Sequence, residues 1–81
     1  MKQSVKLFAL LQDLAGAEEV ALELGASPTV GDVRRTLAEQ LPKLRPLLAN
    51  CTIAVNNQYA ADAAIIPNNA EIACLPPVSG G

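Results

Sequence analysis

Apolar residues recur along this chain with two different periods, and the changes of period mark the elements. Val5 to Leu10 is a short apolar run with one lysine and reads as a strand. Leu11 to Ala15 reads as a brief helical turn stopped at Gly16. Glu19 to Leu24 alternates strictly: Val20, Leu22 and Leu24 face one way, and Glu19, Ala21 and Glu23 the other. That is a half-buried strand, joined to the first by a hairpin-like connection through Gly16–Glu18. Gly25-Ala26-Ser27-Pro28 breaks the pattern. Thr29 then stands as a helix N-cap with Asp32 at capping-box spacing. Val30, Val33, Leu37 and Leu41 follow at near-helical intervals, with Arg34, Arg35, Glu39 and Gln40 elsewhere on the wheel. Arg35 and Glu39 are spaced as an i,i+4 ion pair, and Pro42 ends the helix.

Beyond the helix, Leu44, Leu47 and Leu48 predict a short packed turn around Pro46. Thr52 to Val55 reads as a strand, Asn56-Asn57 as a tight turn with positive φ, and the region of Tyr59 as a weak strand. Ile65 and Ile66 are expected beneath a loop, and Pro67-Asn68-Asn69 is a turn signal. Glu71 to Leu75 is the last strand, which Pro76-Pro77 stops because proline donates no ladder hydrogen bond. The order strand, strand, helix, strand, weak strand, strand predicts an α+β fold. One main helix covers a mixed sheet of about five strands, which is the β-grasp or ubiquitin-like arrangement. The first and last strands should lie together inside the sheet. Residues 1–75 then form the domain, and residues 76–81 a flexible extended tail on a rigid base.

Composition narrows the function. Eighty-one residues make one small domain of modest stability. Half the residues are apolar, yet Phe8 and Tyr59 are the only aromatics, so the core must be built from Leu, Val, Ile and Ala. The net charge is −2 and the basic residues form no block, which argues against nucleic-acid binding. No histidine is present, so the commonest general base and metal ligand is missing, and neither a self-contained hydrolase nor a metal site is expected. Cys51 and Cys74 each sit in an apolar run without a C-x-x-C partner. They read as buried small hydrophobes, with a disulfide left open. The N-terminal apolar run is too short for a signal peptide or a membrane span, so no membrane association and a cytoplasmic location are expected.

The chemistry concentrates at the C-terminus. Leu75-Pro76-Pro77-Val78-Ser79 runs directly into Gly80-Gly81. Glycine carries no β-carbon, so the last two residues fit a channel that excludes other side chains. Extended, Pro76 to Gly81 reach at most about 20 Å, enough to enter a buried pocket of a partner. Pro76 and Pro77 lower the entropy lost when the tail is ordered. Val78 is apolar where a solvated tail would be polar, which points to a contact site.

Thr29-Val30, Ala54-Val55-Asn56 and Glu71 through Gly81 together resemble the small subunit of molybdopterin synthase. The resemblance covers essentially the whole chain and is most specific in Pro-Pro-Val-Ser-Gly-Gly. It implies a sulfur carrier that is itself a non-catalytic, sulfur-donating subunit, with the catalytic groups on the large subunit. A ubiquitin-activating-like adenylyltransferase, using ATP and magnesium, would adenylate Gly81. A sulfur donor protein would convert the adenylate to a thiocarboxylate. The large subunit, in a heterotetramer of two large and two small chains, would pass the sulfur to cyclic pyranopterin monophosphate to build the molybdopterin dithiolene. The chain itself would bind no cofactor.

On the same resemblance, Gly81 bears the reacting group, Gly80 passes the channel, and Phe8, Tyr59, Leu75, Pro76, Pro77, Val78 and Ser79 meet partners. From the residues alone, Phe8 reads equally as core, Tyr59 as an ordinary half-exposed strand residue, and Arg34 as part of a solvated helix face, although it matches a commonly basic position. The chain departs from the pattern at Asn68-Asn69-Ala70, where an acidic glycine-containing turn is usual, and at Cys74-Leu75, where an aromatic pair is common. Two other classes use the same terminal carboxylate or fold: a ubiquitin-like protein modifier, and a sulfur carrier for thiamine or tRNA thiolation. A third possibility is an interaction module with an inert tail.

Overall fold

The computed structural model describes residues 1–77. Five strands form one mixed sheet: β1 Lys2–Leu7, β2 Glu19–Glu23, β3 Thr52–Val55, β4 Gln58–Ala60 and β5 Ile72–Leu75. Their order is β2-β1-β5-β3-β4. β1 and β5 are parallel at the centre, with Leu7 opposite Cys74, and the other neighbours are antiparallel. The helix α2, Val30–Gln40, covers one face. The β-grasp expectation holds, with the first and last strands adjacent.

β1 starts earlier than the apolar run suggests. It occupies Lys2–Leu7 rather than Val5–Leu10, because exposed Lys2, Ser4 and Lys6 alternate with buried Gln3, Val5 and Leu7. Gln3 is a polar residue at a core-facing position, and its amide donates to the carbonyls of Ala70 and Ser4, both at 2.9 Å. Burying that amide is tolerable because its donors are satisfied. Ala9 has φ 52°, which ends the strand and lets Leu10 open the short helix α1, Leu10–Ala15. Gly16 closes α1 in the left-handed conformation, φ 73°, and its N–H donates to the Gln12 carbonyl.

The capping box at α2 forms as the spacing predicts. Thr29 Oγ1 accepts from the Asp32 amide and Asp32 Oδ2 accepts from the Thr29 amide. The expected Arg35–Glu39 pair is replaced: Arg35 Nη2 donates to Asp32 Oδ1 at 2.6 Å. The carboxylate already seated at the helix N-terminus offers the guanidinium an anchored partner. α2 ends at Gln40, and a 3₁₀ turn at Pro42–Leu44 leads into the one-turn helix α3, Arg45–Leu48. Leu44 and Leu48 pack into the core and Leu47 lies half-buried at its margin.

Val30, Val33 and Leu37 on α2 meet Val5, Leu7, Leu22, Ile53, Ile72 and Cys74 from the sheet in one apolar core. Each large aliphatic side chain removed from water there contributes about 1.5–3 kcal/mol before the entropy cost of ordering it. Both cysteines are buried and free, Cys51 beside β3 and Cys74 on β5. Asn56 and Asn57 have φ 51° and 68°, the two-residue hairpin turn expected between β3 and β4. Of the two isoleucines expected beneath a loop, only Ile66 is buried; Ile65 is 66% exposed, because its neighbour's amide bonds Pro28 and turns Ile66 inward.

Candidate functional site

The strand registers define the face of the sheet that α2 leaves uncovered. Ile72 and Cys74 point to the core with Ile53, so Ala73 and Leu75 point to the other face. On that face the pairings run across the sheet as Lys6, Ala73, Ala54 and Tyr59. Beside that row, Leu75 lies opposite Thr52. Phe8 follows Leu7 directly and continues the exposed series of Lys2, Ser4 and Lys6.

The structure therefore places Tyr59 and Leu75 on one face, with Phe8 beyond the neighbouring strand. Tyr59 is 80% exposed and Phe8 42% exposed. The core reading of Phe8 and the half-exposed reading of Tyr59 are both overturned. An 80%-exposed aromatic in a chain with two gains nothing from the core, and aromatic anchors of this kind dominate protein interfaces. Leu75 and Pro76 are half-buried and Pro77 is exposed. Ala73 and Ala54 lay a floor of small side chains between Tyr59 and Lys6. Lys6 and Glu71, 3.6 Å apart and both well exposed, mark the polar margin. A pair so exposed is worth little energetically.

Sequence reasoning named the large residues of this face and missed Thr52, Ala54 and Ala73. The signal was present: alternation along Thr52–Val55 and Ile72–Leu75 puts all three on the side of Leu75. Val78, Ser79, Gly80 and Gly81 lie outside the described residues. The tail leaves from Leu75, the last residue of a strand that β1 pairs as far as Cys74 and β3 pairs through Leu75 itself, opposite Thr52.

Arg34 is not on a solvated face. Its Nη1 donates to the carbonyls of Leu48 and Cys51, and its Nε and Nη2 donate to Asp62 Oδ1 at 3.2 and 2.9 Å. The first amides of α2 are also occupied: Val30 donates to Ala64 and Gly31 to Asp62, each at 2.9 Å. The helix N-terminus thus has no free amide pointing outward from these positions to hold an anion.

Behind the candidate face lie the two thiols. Burial, with the neighbouring Cys51 adding to it, pushes the Cys74 thiol up to about 12. Burial likewise raises Cys51, whose Sγ donates to the Leu47 carbonyl at 3.1 Å. Neither is poised as a nucleophile, since the thiolate is the reactive form. Among the described residues, no group of three or more His, Cys, Asp and Glu could hold a metal ion. No helix among them is long and apolar enough to cross a membrane. A surface hollow bordered by Met1, Lys2, Asn68 and Asn69 lies at the opposite end of β1 from the tail. What the described residues offer is an exposed platform beside the strand end that leads to the C-terminus.

Residues 5–81 match the ThiS family model. The chain belongs to the ThiS family. This ThiS-family chain is 31% identical to the molybdopterin synthase sulfur carrier subunit of Arabidopsis thaliana over 95% of its own length and 80% of that protein. It is 30% identical to the protein of the same name from Chlamydomonas reinhardtii, with both chains covered completely. Among solved structures it is similar to SAMP1 from Haloferax volcanii, with 30% identity, a TM-score of 0.84 and full coverage of both chains. These relatives agree with the β-grasp architecture and with the resemblance to the small subunit of molybdopterin synthase.

Proposed function

We propose that this chain is the sulfur carrier subunit of molybdopterin synthase, and that Gly81 carries the transferred sulfur. The observation that carries the reading is the placement of the tail's origin. Leu75 ends the central strand on the same face as Tyr59, so a partner gripping that face receives the arm at a set position. Kinship to proteins named molybdopterin synthase sulfur carrier subunit supports the pathway.

The division of labour follows from the residues. A carboxylate is a poor electrophile and needs a better leaving group. An activating adenylyltransferase supplies ATP and magnesium, the Gly81 carboxylate oxygen bonds to the α-phosphorus, and pyrophosphate leaves. Sulfide released by a donor protein then attacks the acyl carbon and AMP departs, giving the thiocarboxylate. This chain contributes no acid, base or metal to these steps. Phe8, Tyr59, Leu75 and Pro76 provide apolar contact to the activating enzyme and then to the large subunit. Pro77, Val78, Ser79 and Gly80 deliver the terminus. Two successive transfers to cyclic pyranopterin monophosphate complete the dithiolene, in a heterotetramer with one carrier at each end. The reactions belong to the cytoplasm, where their ATP is available.

The deciding experiment is intact mass after incubation with the activating enzyme and sulfur donor. The expected result is replacement of one oxygen by sulfur, localised to Gly81, and conversion of the pyranopterin precursor once the large subunit is added. Gly81→Ala is expected to lose loading or transfer while keeping wild-type thermal unfolding. Loading at the wild-type level in that variant would count against the proposal. A protein-modifier reading is favoured by one observation, the likeness to a protein named small archaeal modifier protein 1. Isopeptide adducts between Gly81 and lysines of other proteins, with no thiocarboxylate, would select it.

A further inference from the structure

We propose that Arg34 and Asp62 clasp the open end of the β3–β4 hairpin, and that this clasp positions Tyr59 for partner docking. The positioning role rests on the docking face described above. The hairpin is closed at one end by the Asn56-Asn57 turn. At the other end its strands part. β3 is preceded by Leu48–Cys51, and β4 is followed by the segment 61–66. Arg34 reaches both sides of that opening from α2. One nitrogen, Nη1, holds the carbonyls of Leu48 and Cys51 before β3, while Nε and Nη2 hold the Asp62 carboxylate after β4. The planar guanidinium suits this task, because it directs several donors rigidly in one plane.

β4 needs such a clasp. It is three residues long and lies at the sheet edge, with β3 as its neighbour. The Tyr59 ring is 80% exposed and gains little packing that would hold its strand down. Its position depends on the backbone pairing of Tyr59 with Ala54, and short ladders fray from unjoined ends. The backbone of Asp62 is seated as well: its carbonyl accepts from the Gly31 amide at 2.9 Å, and a β-carbon on Gly31 would approach that oxygen to 3.4 Å. The segment after β4 is thus held to α2 by two backbone bonds, from Gly31 to Asp62 and from Val30 to Ala64, and by one ion pair. The Arg34 side chain in that pair is only 20% exposed.

The test is a double-mutant cycle in the full-length chain, titrated against its cognate molybdopterin synthase large subunit. Asp62→Ala leaves Arg34 its carbonyl bonds and removes only the β4 side of the clasp. It is expected to weaken binding by about threefold to fivefold, the scale of a well-formed partly exposed ion pair. Amide exchange in β4 should speed up by a similar factor while β1 and β5 keep their protection. In a Tyr59→Ala background, Asp62→Ala should weaken binding no further. Wild-type affinity for Asp62→Ala, where Tyr59→Ala alone is weakened, overturns the clasp's positioning role and leaves the docking reading standing. Equal losses in both backgrounds also overturn it, since they signal a general loss of stability. Unchanged binding by Tyr59→Ala overturns the docking reading itself and the positioning role with it.

Discussion

Thr29 and Asp32 illustrate how far a single pair of residues could be read in advance. Their spacing announces a capping box, and both reciprocal hydrogen bonds form. The Thr29 amide, and after it the Arg35 guanidinium, holds the Asp32 carboxyl below the usual carboxylate range. A carboxyl with a lower pKa folded than unfolded contributes fully above its unfolded pKa, near 3.8, and loses that contribution as pH falls through the folded value. The stability difference between the wild type and Asp32→Asn should therefore be complete at pH 7 and shrink below about pH 4, measured by denaturant titration at each pH. Thr29→Ala should cost about 1 kcal/mol at neutral pH. The partner of Arg35 was not legible, because a long side chain reaches either Asp32 or Glu39 on the same helix. The choice depends on a carboxylate orientation set by the cap.

Among the elements, the β3–β4 hairpin was legible in its turn and illegible in its anchoring. Two adjacent asparagines announce positive φ, since Asn tolerates the left-handed region better than most residues. Asn56 is further tied to the residue just before the last strand, its Oδ1 accepting from the Glu71 amide at 2.8 Å. Asn57, at φ 68°, carries conformation alone and is the cleaner test. Asn57→Val should cost about 1–2 kcal/mol, the penalty of a β-branched residue in that region, whereas Asn57→Gly should be tolerated. Urea denaturation of the two variants checks both. The clasp by Arg34 has no local signature, because its partners come from two stretches distant from it along the chain, Leu48–Cys51 and the segment of Asp62. β1 was misplaced toward Leu10 because hydrophobicity weighed more than alternation, and Gln3 concealed a core-facing position behind a polar side chain.

At the scale of the whole molecule, the two thiols report on global opening. Cys51 and Cys74 belong to the one core, 5% and 0% exposed. At pH 8 iodoacetamide should leave both essentially unmodified in the folded protein and modify both in denaturant, at a common midpoint followed by mass spectrometry. Labelling of one alone under native conditions would contradict a single cooperative core. The sequence by itself determined the order of elements, the cap, the hairpin turn and the proline stop. Each of these depends on backbone geometry or on hydrogen bonds between residues close along the chain. Only the tertiary structure decided that Phe8 faces outward, that Tyr59 and Leu75 share a face floored by Ala54 and Ala73, and that Arg34 works inward. Those outcomes depend on strand register and helix placement, where stretches distant in sequence are brought together by burial of a common core.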